Sequence, residues 1–217
     1  MVYHKGQCLD LYYFSFFIND LDHGISSRVL KFADDNKLHR SVNNQEDSIC
    51  LQKDLETVVE WAHRWQMQFN VKKCKVVHFG KGNLGFTYSM EGQCLEDVDF
   101  EKDLGVLVSK DLKVPRQCQE SYSKANRMLG LISRTIKYKN QKVLMNLYKS
   151  MVSPHLEYCC TAWSPHYMKD KQMLEKVQHR FTRMFPHLKS LPYEGFCELG
   201  LWSLEERRNR ADLIEVF

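Results

Sequence analysis

The chain has 217 residues, enough for one ordinary domain or a small domain with a helical appendage. Hydrophobic residues at 43%, charged residues at 27% and only 5 prolines exclude a disordered or collagen-like chain. The formal net charge of +4 is unevenly spread: residues 1–110 carry 13 basic and 16 acidic side chains, net −3, while residues 111–217 carry 18 and 11, net +7, so a polyanion is expected to meet the second half.

In chain order, the first feature is the apolar run Leu11 to Ile18, about half of what a bilayer requires and followed at once by Asn19 and Asp20. It lacks a small-residue cleavage site, so neither a membrane span nor secretion is expected. Next comes Phe32-Ala33-Asp34-Asp35 between two short β-compatible flanks. Two adjacent carboxylates there would sit at the tip of a hairpin, the first aimed across the sheet and the second near the turn. Such a tip can offer hard oxygen ligands to Mg²⁺. Taken alone, the dipeptide reads more readily as a solvated turn.

From Ser48 to Trp65 apolar residues fall at Leu51, Leu55, Val58, Ala62 and Trp65, the stripe of an amphipathic helix. Trp61 and Trp65 are therefore read as core residues rather than base-stacking platforms. Cys74 to Phe79, Phe86 to Met90 and Leu104 to Val108 read as strands of one small sheet, separated by glycines 80, 82, 85 and 92. Beyond Pro115 the period becomes helical, with stripes at Tyr122, Ala125, Leu129 and Ile132, at Leu144, Leu147, Tyr148 and Met151, and at Leu174, Val177, Phe181 and Met184. Ser203 followed by Glu206 is a capping box for a terminal helix reaching at least Ile214. These patterns predict an α+β first half and an all-helical basic second half, with the boundary near residues 111–117.

Lys176, Arg180, Arg183 and Lys189 accompany the third helical stripe, and Arg207, Arg208 and Arg210 the last helix. On solvent faces they can contact phosphates without reading sequence, although an ordinary solvated face with partners such as Glu206 and Arg210 is an equal reading. The eight cysteines are scattered, with no Cys-x-x-Cys, which argues for a reducing compartment. His155, Cys159, Cys160 and His166 are zinc-type donors without a chelating spacing.

The ordered set of motifs resembles the reverse transcriptases of non-LTR (LINE-type) retrotransposons, particularly the jockey and chicken-repeat-like lineages. It runs from Phe17-Ile18-Asn19-Asp20-Leu21 through Phe32-Ala33-Asp34-Asp35, Trp61, Trp65, Met67, Phe69-Asn70 and Lys73-Cys74 to Asp103-Leu104-Gly105-Val106. It continues through Pro154-His155-Leu156-Glu157-Tyr158, Trp163-Ser164-Pro165, Leu174-Glu175-Lys176-Val177-Gln178 and Leu204-Glu205-Glu206-Arg207-Arg208, and so covers nearly all of residues 6–217. The resemblance implies a partial right-hand polymerase palm, an antiparallel sheet with helices, over residues 1–112, and a helical thumb with a C-terminal helical extension over 113–217.

The resemblance also assigns roles. Asp34 is the expected firm Mg²⁺ ligand and Asp35 its supporting neighbour in a two-metal site, stabilising charge as a primer 3′-hydroxyl attacks a nucleotide. Lys73 resembles the family lysine that relieves charge on the pyrophosphate leaving group; its bland reading, a solvated lysine between Lys72 and Lys75, is equally weighted. Lys176, Arg180, Arg183, Arg207 and Arg208 are the expected nucleic-acid contacts, an RNA template and a DNA primer are the implied partners, and the implied location is cytoplasmic or nuclear.

The sequence departs from the family at its start. The family completes its metal cage with another aspartate on an upstream palm strand, which these residues do not include, and His4-Lys5-Gly6 stands where the family has Pro-Gln-Gly. Losing one electrostatic stabiliser costs about 10² to 10³ in rate, and losing nucleotide positioning costs roughly 7 to 11 kcal/mol. A truncated RNA-directed DNA polymerase without autonomous activity is therefore expected, the alternative being a non-enzymatic nucleic-acid-binding module built on the basic helices. Palm strands without that neighbour are expected to leave an open edge, which a longer partner chain can fill. The first 20 residues are expected to be the least ordered.

Overall fold

The computed structural model describes residues 18–33, 35–138, 140–185 and 199–216; the expectation for the first 20 residues falls almost wholly outside them. Strands and one long helix precede residue 112, and helices follow it, so the chain mixes α and β elements. The described residues form two compact units, one reaching Glu101 with Ser109–Leu112, the other made of Lys102–Val108 and the residues from Lys113 onward. The segment 102–108, expected in the first half, thus belongs to the second unit.

In the first unit, β1 (Arg28–Phe32) and β2 (Asp35–His39) pair antiparallel, with Phe32 opposite Asp35. Helix α1 (Gln45–Arg64) starts at Asn44, whose side chain accepts the Asp47 amide at 2.8 Å, and has Glu46 and Asp47 in its positive first turn. It buries Leu55, Val58, Trp61 and Ala62 against Leu21, Leu38 and Val76. Trp65, expected to close the buried stripe, instead caps the helix end and is 40% exposed, because the chain turns away at Gln66 (φ 54). Asp54 is buried in α1 and accepts the amides of Ser26 and Ser27 at 3.0 and 2.8 Å and the Ser26 hydroxyl at 3.0 Å. That carboxylate pins the approach to β1 onto the helix.

The expected single sheet does not form. In chain order follow β3 (Lys75–Val76), β4 (Ser89–Met90), β5 (Gln93–Cys94), β6 (Glu96–Asp97), β7 (Phe100–Asp103) and β8 (Val106–Ser109). They make separate two-stranded ladders: β3 parallel to β6, β4 antiparallel to β5, and β7 with β8. The glycines that mark these strands also cut them short; Glu91 and Gly92, both at positive φ, close the β4–β5 turn. The Gln52 side chain bonds both the amide and the carbonyl of Ser89 at 3.0 Å, standing where a neighbouring strand would.

The second unit is helical after its β7–β8 turn. Helix α2 (Pro115–Thr135) has Pro at its start, where a missing N–H costs nothing. Helix α3 (Gln141–Leu147) passes through a π turn, Tyr148–Val152, into α4 (Ser153–Glu157), the Ser153 amide reaching the Tyr148 carbonyl five residues back. Then come α5 (Cys160–Trp163), α6 (Met168–Thr182) and α7 (Leu204–Val216). Leu129, Leu144, Tyr148, Leu174, Phe181 and Leu204 are fully buried together, so all three expected helical stripes contribute to one core. Pro186, Lys189 and Pro192 lie outside the described residues.

The capping box forms as its spacing predicts: Ser203 Oγ accepts the Glu206 amide at 3.1 Å, and Glu206 Oε2 accepts the Ser203 amide at 2.9 Å. Glu175 of α6 adds a second cap, accepting the Leu204 amide at 2.6 Å and the Glu205 amide at 3.2 Å. At the β7–β8 turn, Leu104 and Gly105 both have positive φ, 44 and 92, the backbone of a primed two-residue turn. Tyr158 donates its hydroxyl to the Leu104 carbonyl at 2.9 Å. A Cβ on Gly105 would stand 3.1 Å from the Tyr158 ring, so only glycine suits both the φ and the space.

Candidate functional site

The hairpin expected around the paired carboxylates is present. Phe32 ends β1 and pairs with Asp35, which begins β2. Asp34 itself lies outside the described residues. Ala33 has φ 50, a left-handed backbone that a residue with a Cβ adopts only at a cost, and such strain concentrates at functional turns. In an antiparallel ladder directly opposed residues share a face, so Asp35 stands beside Phe32, which is 59% exposed. Asp35 itself is half-buried.

Lys73 ends a 3-10 turn, Val71–Lys73, that follows α1, its amide bonded to the Asn70 carbonyl at 2.8 Å. Val71 and Cys74 are buried on either side of it, while Lys72 and Lys73 project to solvent. Burial of Cys74 pushes its thiol up to about 11, so it is a packing residue and not a nucleophile. Asp35 and Lys73 belong to the same compact unit.

In the second unit the basic side chains separate into two groups. Lys176 and Arg180, one turn apart on α6, line a cleft of about 610 Å³ whose opposite wall is α2, with Arg127, Gly130 and Arg134. Arg180 donates to Asn126 Oδ1 at 3.1 Å, and its guanidinium comes within 4.0 Å of where a Gly130 side chain would begin. Four cations thus share one open cleft, and only two of them were anticipated. Arg127 and Arg134 were legible at a seven-residue spacing, on the face of α2 opposite its apolar stripe. Arg183 is exposed at the end of α6 and does not line this cleft.

Arg207 and Arg208, the other expected phosphate contacts, are engaged within the second unit. Arg207 pairs with Glu157, donates to Ser153 Oγ at 3.0 Å and to Gln178 Oε1 at 2.5 Å. Gln178 is fully buried; its Oε1 also accepts the Tyr148 hydroxyl at 3.1 Å and its Nε2 donates to the Trp202 carbonyl at 3.0 Å. Burial pushes the Tyr148 phenol up to about 12. Arg208 is 3% exposed, stacks over Trp163 at 5.6 Å and donates to the Leu156 carbonyl at 3.3 Å; desolvation by burial lowers its pKa. Glu205 and Glu206 occupy the outward positions of that helix turn, and the two arginines point inward as structural cations.

Asp34 and Asp35 have the oxygen chemistry Mg²⁺ prefers, and one or two carboxylates with waters suffice for one such ion. A bridged pair of ions needs a further carboxylate. Among the described residues no group of three or more His, Cys, Asp or Glu gathers as a metal site. Also among them, no helix is long and apolar enough to cross a membrane. Comparison of the chain with protein-family models, with curated proteins and with solved structures found no match.

Proposed function

We propose that the chain is a palm and thumb portion of an RNA-directed DNA polymerase of the non-LTR retrotransposon type. The observation that carries this reading is the β1–β2 hairpin, in which Ala33 has positive φ and Asp35 heads β2 opposite Phe32. On this reading Asp34 and Asp35 hold Mg²⁺ on one side of a metal site, Lys73 is the candidate for relieving leaving-group charge, and the cleft of Arg127, Arg134, Lys176 and Arg180 tracks the backbone of an RNA template paired with a DNA primer.

The basic cleft also supports a second reading, a nucleic-acid-binding module in which the hairpin is a relic. Primer extension on an RNA template with Mg²⁺, wild type against Asp34→Ala, separates the two. Extension that disappears in the variant supports the polymerase. Duplex binding that weakens with salt, is indifferent to Asp34→Ala and comes with no extension supports the module.

A further inference from the structure

The cleft of about 610 Å³ between α2 and α6 has two features that a solvated helix face does not require. The first is uncompensated charge. Arg127 and Arg134 stand two turns apart on α2, about 10.5 Å along its axis, and Lys176 and Arg180 one turn apart on α6, about 6 Å. No carboxylate lines the cleft among the described residues. Glu120, whose carboxyl feels Arg127, pairs with Lys124 at 2.9 Å, and Arg180 donates to a neutral oxygen, Asn126 Oδ1 at 3.1 Å. Like charges gathered on two walls repel, and an anion that meets them together relieves the repulsion. The second feature is Gly130, between Arg127 and Arg134 on the same wall. Glycine inside a helix costs roughly 0.5 to 1 kcal/mol relative to alanine. Packing does not demand it here, since a Cβ would meet nothing outside its own helix nearer than the Arg180 guanidinium at 4.0 Å. The missing side chain leaves its room to the cleft, where a ligand can come close to the helix.

We propose that this cleft binds a compact polyphosphate, a small molecule that carries several phosphates around one ring. Its volume falls in the range of small-molecule sites. Cations on two facing walls match phosphates placed on several sides of one scaffold, and guanidinium forks take phosphate oxygens two at a time. Tyr122 and Ser123 add hydroxyls to the lining. A duplex strand spreads its charge at one phosphate per about 3.4 Å of axis and meets the rim of such a cleft, whereas a compact ligand reaches the space over Gly130. The inference stands on the unpaired cations and on Gly130, and does not need the polymerase reading.

The test titrates the full chain by calorimetry, at about 0.15 M salt, with inositol hexakisphosphate as the ring probe and linear tripolyphosphate as the unbranched one. One equivalent of hexakisphosphate is expected to bind, at least tenfold tighter than tripolyphosphate. Arg127→Ala and Lys176→Ala, on opposite walls, are each expected to weaken it at least fivefold, and Arg183→Ala, outside the cleft, less than twofold. Gly130→Leu fills the space without removing a charge and is expected to weaken it at least tenfold; the two alanine variants repeat the test should that variant fail to fold. The proposal is overturned if hexakisphosphate does not bind, if it binds no tighter than tripolyphosphate, if all three cation variants lose equally, or if a folded Gly130→Leu chain binds as well as wild type. A primer–template duplex added to the saturated chain separates this site from the polymerase reading. Duplex that stays bound beside one equivalent of hexakisphosphate supports the site and puts the nucleic acid elsewhere, while duplex binding without any hexakisphosphate binding overturns the site alone.

Discussion

Arg208 and Arg180 are the same residue type on neighbouring helices, and burial gives them opposite duties. Arg208→Ala removes a desolvated cation from over Trp163 and is expected to cost about 2 to 4 kcal/mol in urea unfolding. Arg180→Ala, at an exposed position, is expected to stay within about 0.5 kcal/mol of wild type while weakening duplex binding. Asp54 acts through hydrogen bonds. Burial raises its pKa, but bonds from Ser27 and Ser26 outweigh that and hold it below its ordinary 3.8. Its stabilisation is therefore complete above the unfolded value and is lost as pH falls through the lower folded value. Asp54→Ala is expected to cost about 2 to 3 kcal/mol at pH 7, with the gap to wild type closing below pH 4. The sequence named Arg207 and Arg208 as surface cations because charge alone carries no direction. Which side of α7 faced inward was decided by Trp163, Gln178 and Glu157, residues far away along the chain.

At the scale of elements, helices were legible and sheets were not. Capping signals and apolar spacing are local, so α1, α2, α6 and the Ser203–Glu206 box followed from sequence. Ladder partners are not local. Nothing in Lys75–Val76 specifies a parallel partner at Glu96–Asp97, and the glycines between the strands left short ladders instead of one sheet. The turn at Leu104–Gly105 shows what a local motif omits: its glycine is fixed by Tyr158. Gly105→Ala is expected to cost about 1 to 2 kcal/mol, from positive φ and the close ring together, whereas Tyr158→Phe costs about 1 kcal/mol through the lost bond to Leu104. The cleft between α2 and α6 has its own signature. Plots of log affinity against log salt for a primer–template duplex are expected to flatten by roughly 0.9 for each of Arg127, Arg134, Lys176 and Arg180 changed to Ala, if each meets one phosphate. An unchanged slope would place the nucleic acid elsewhere.

For the whole molecule, the charge asymmetry read from the sequence has a structural counterpart. The basic excess after residue 111 includes the four-cation cleft, while the acidic first half carries the hairpin with its paired carboxylates. The hairpin was legible only with the family resemblance, since two acids between β-compatible flanks read by themselves as a solvated turn; the ladder neighbours of β2 and β3 were not legible, since pairing depends on residues far along the chain. The central claim is that Asp34 and Asp35 hold a divalent ion at that hairpin. Mn²⁺, a paramagnetic stand-in for Mg²⁺, added to the isotopically labelled chain with a bound RNA–DNA duplex is expected to broaden amide signals from Phe32 to Lys37, and Asp34→Ala is expected to abolish the effect. Broadening centred away from the hairpin, or unchanged in Asp34→Ala, would contradict the account.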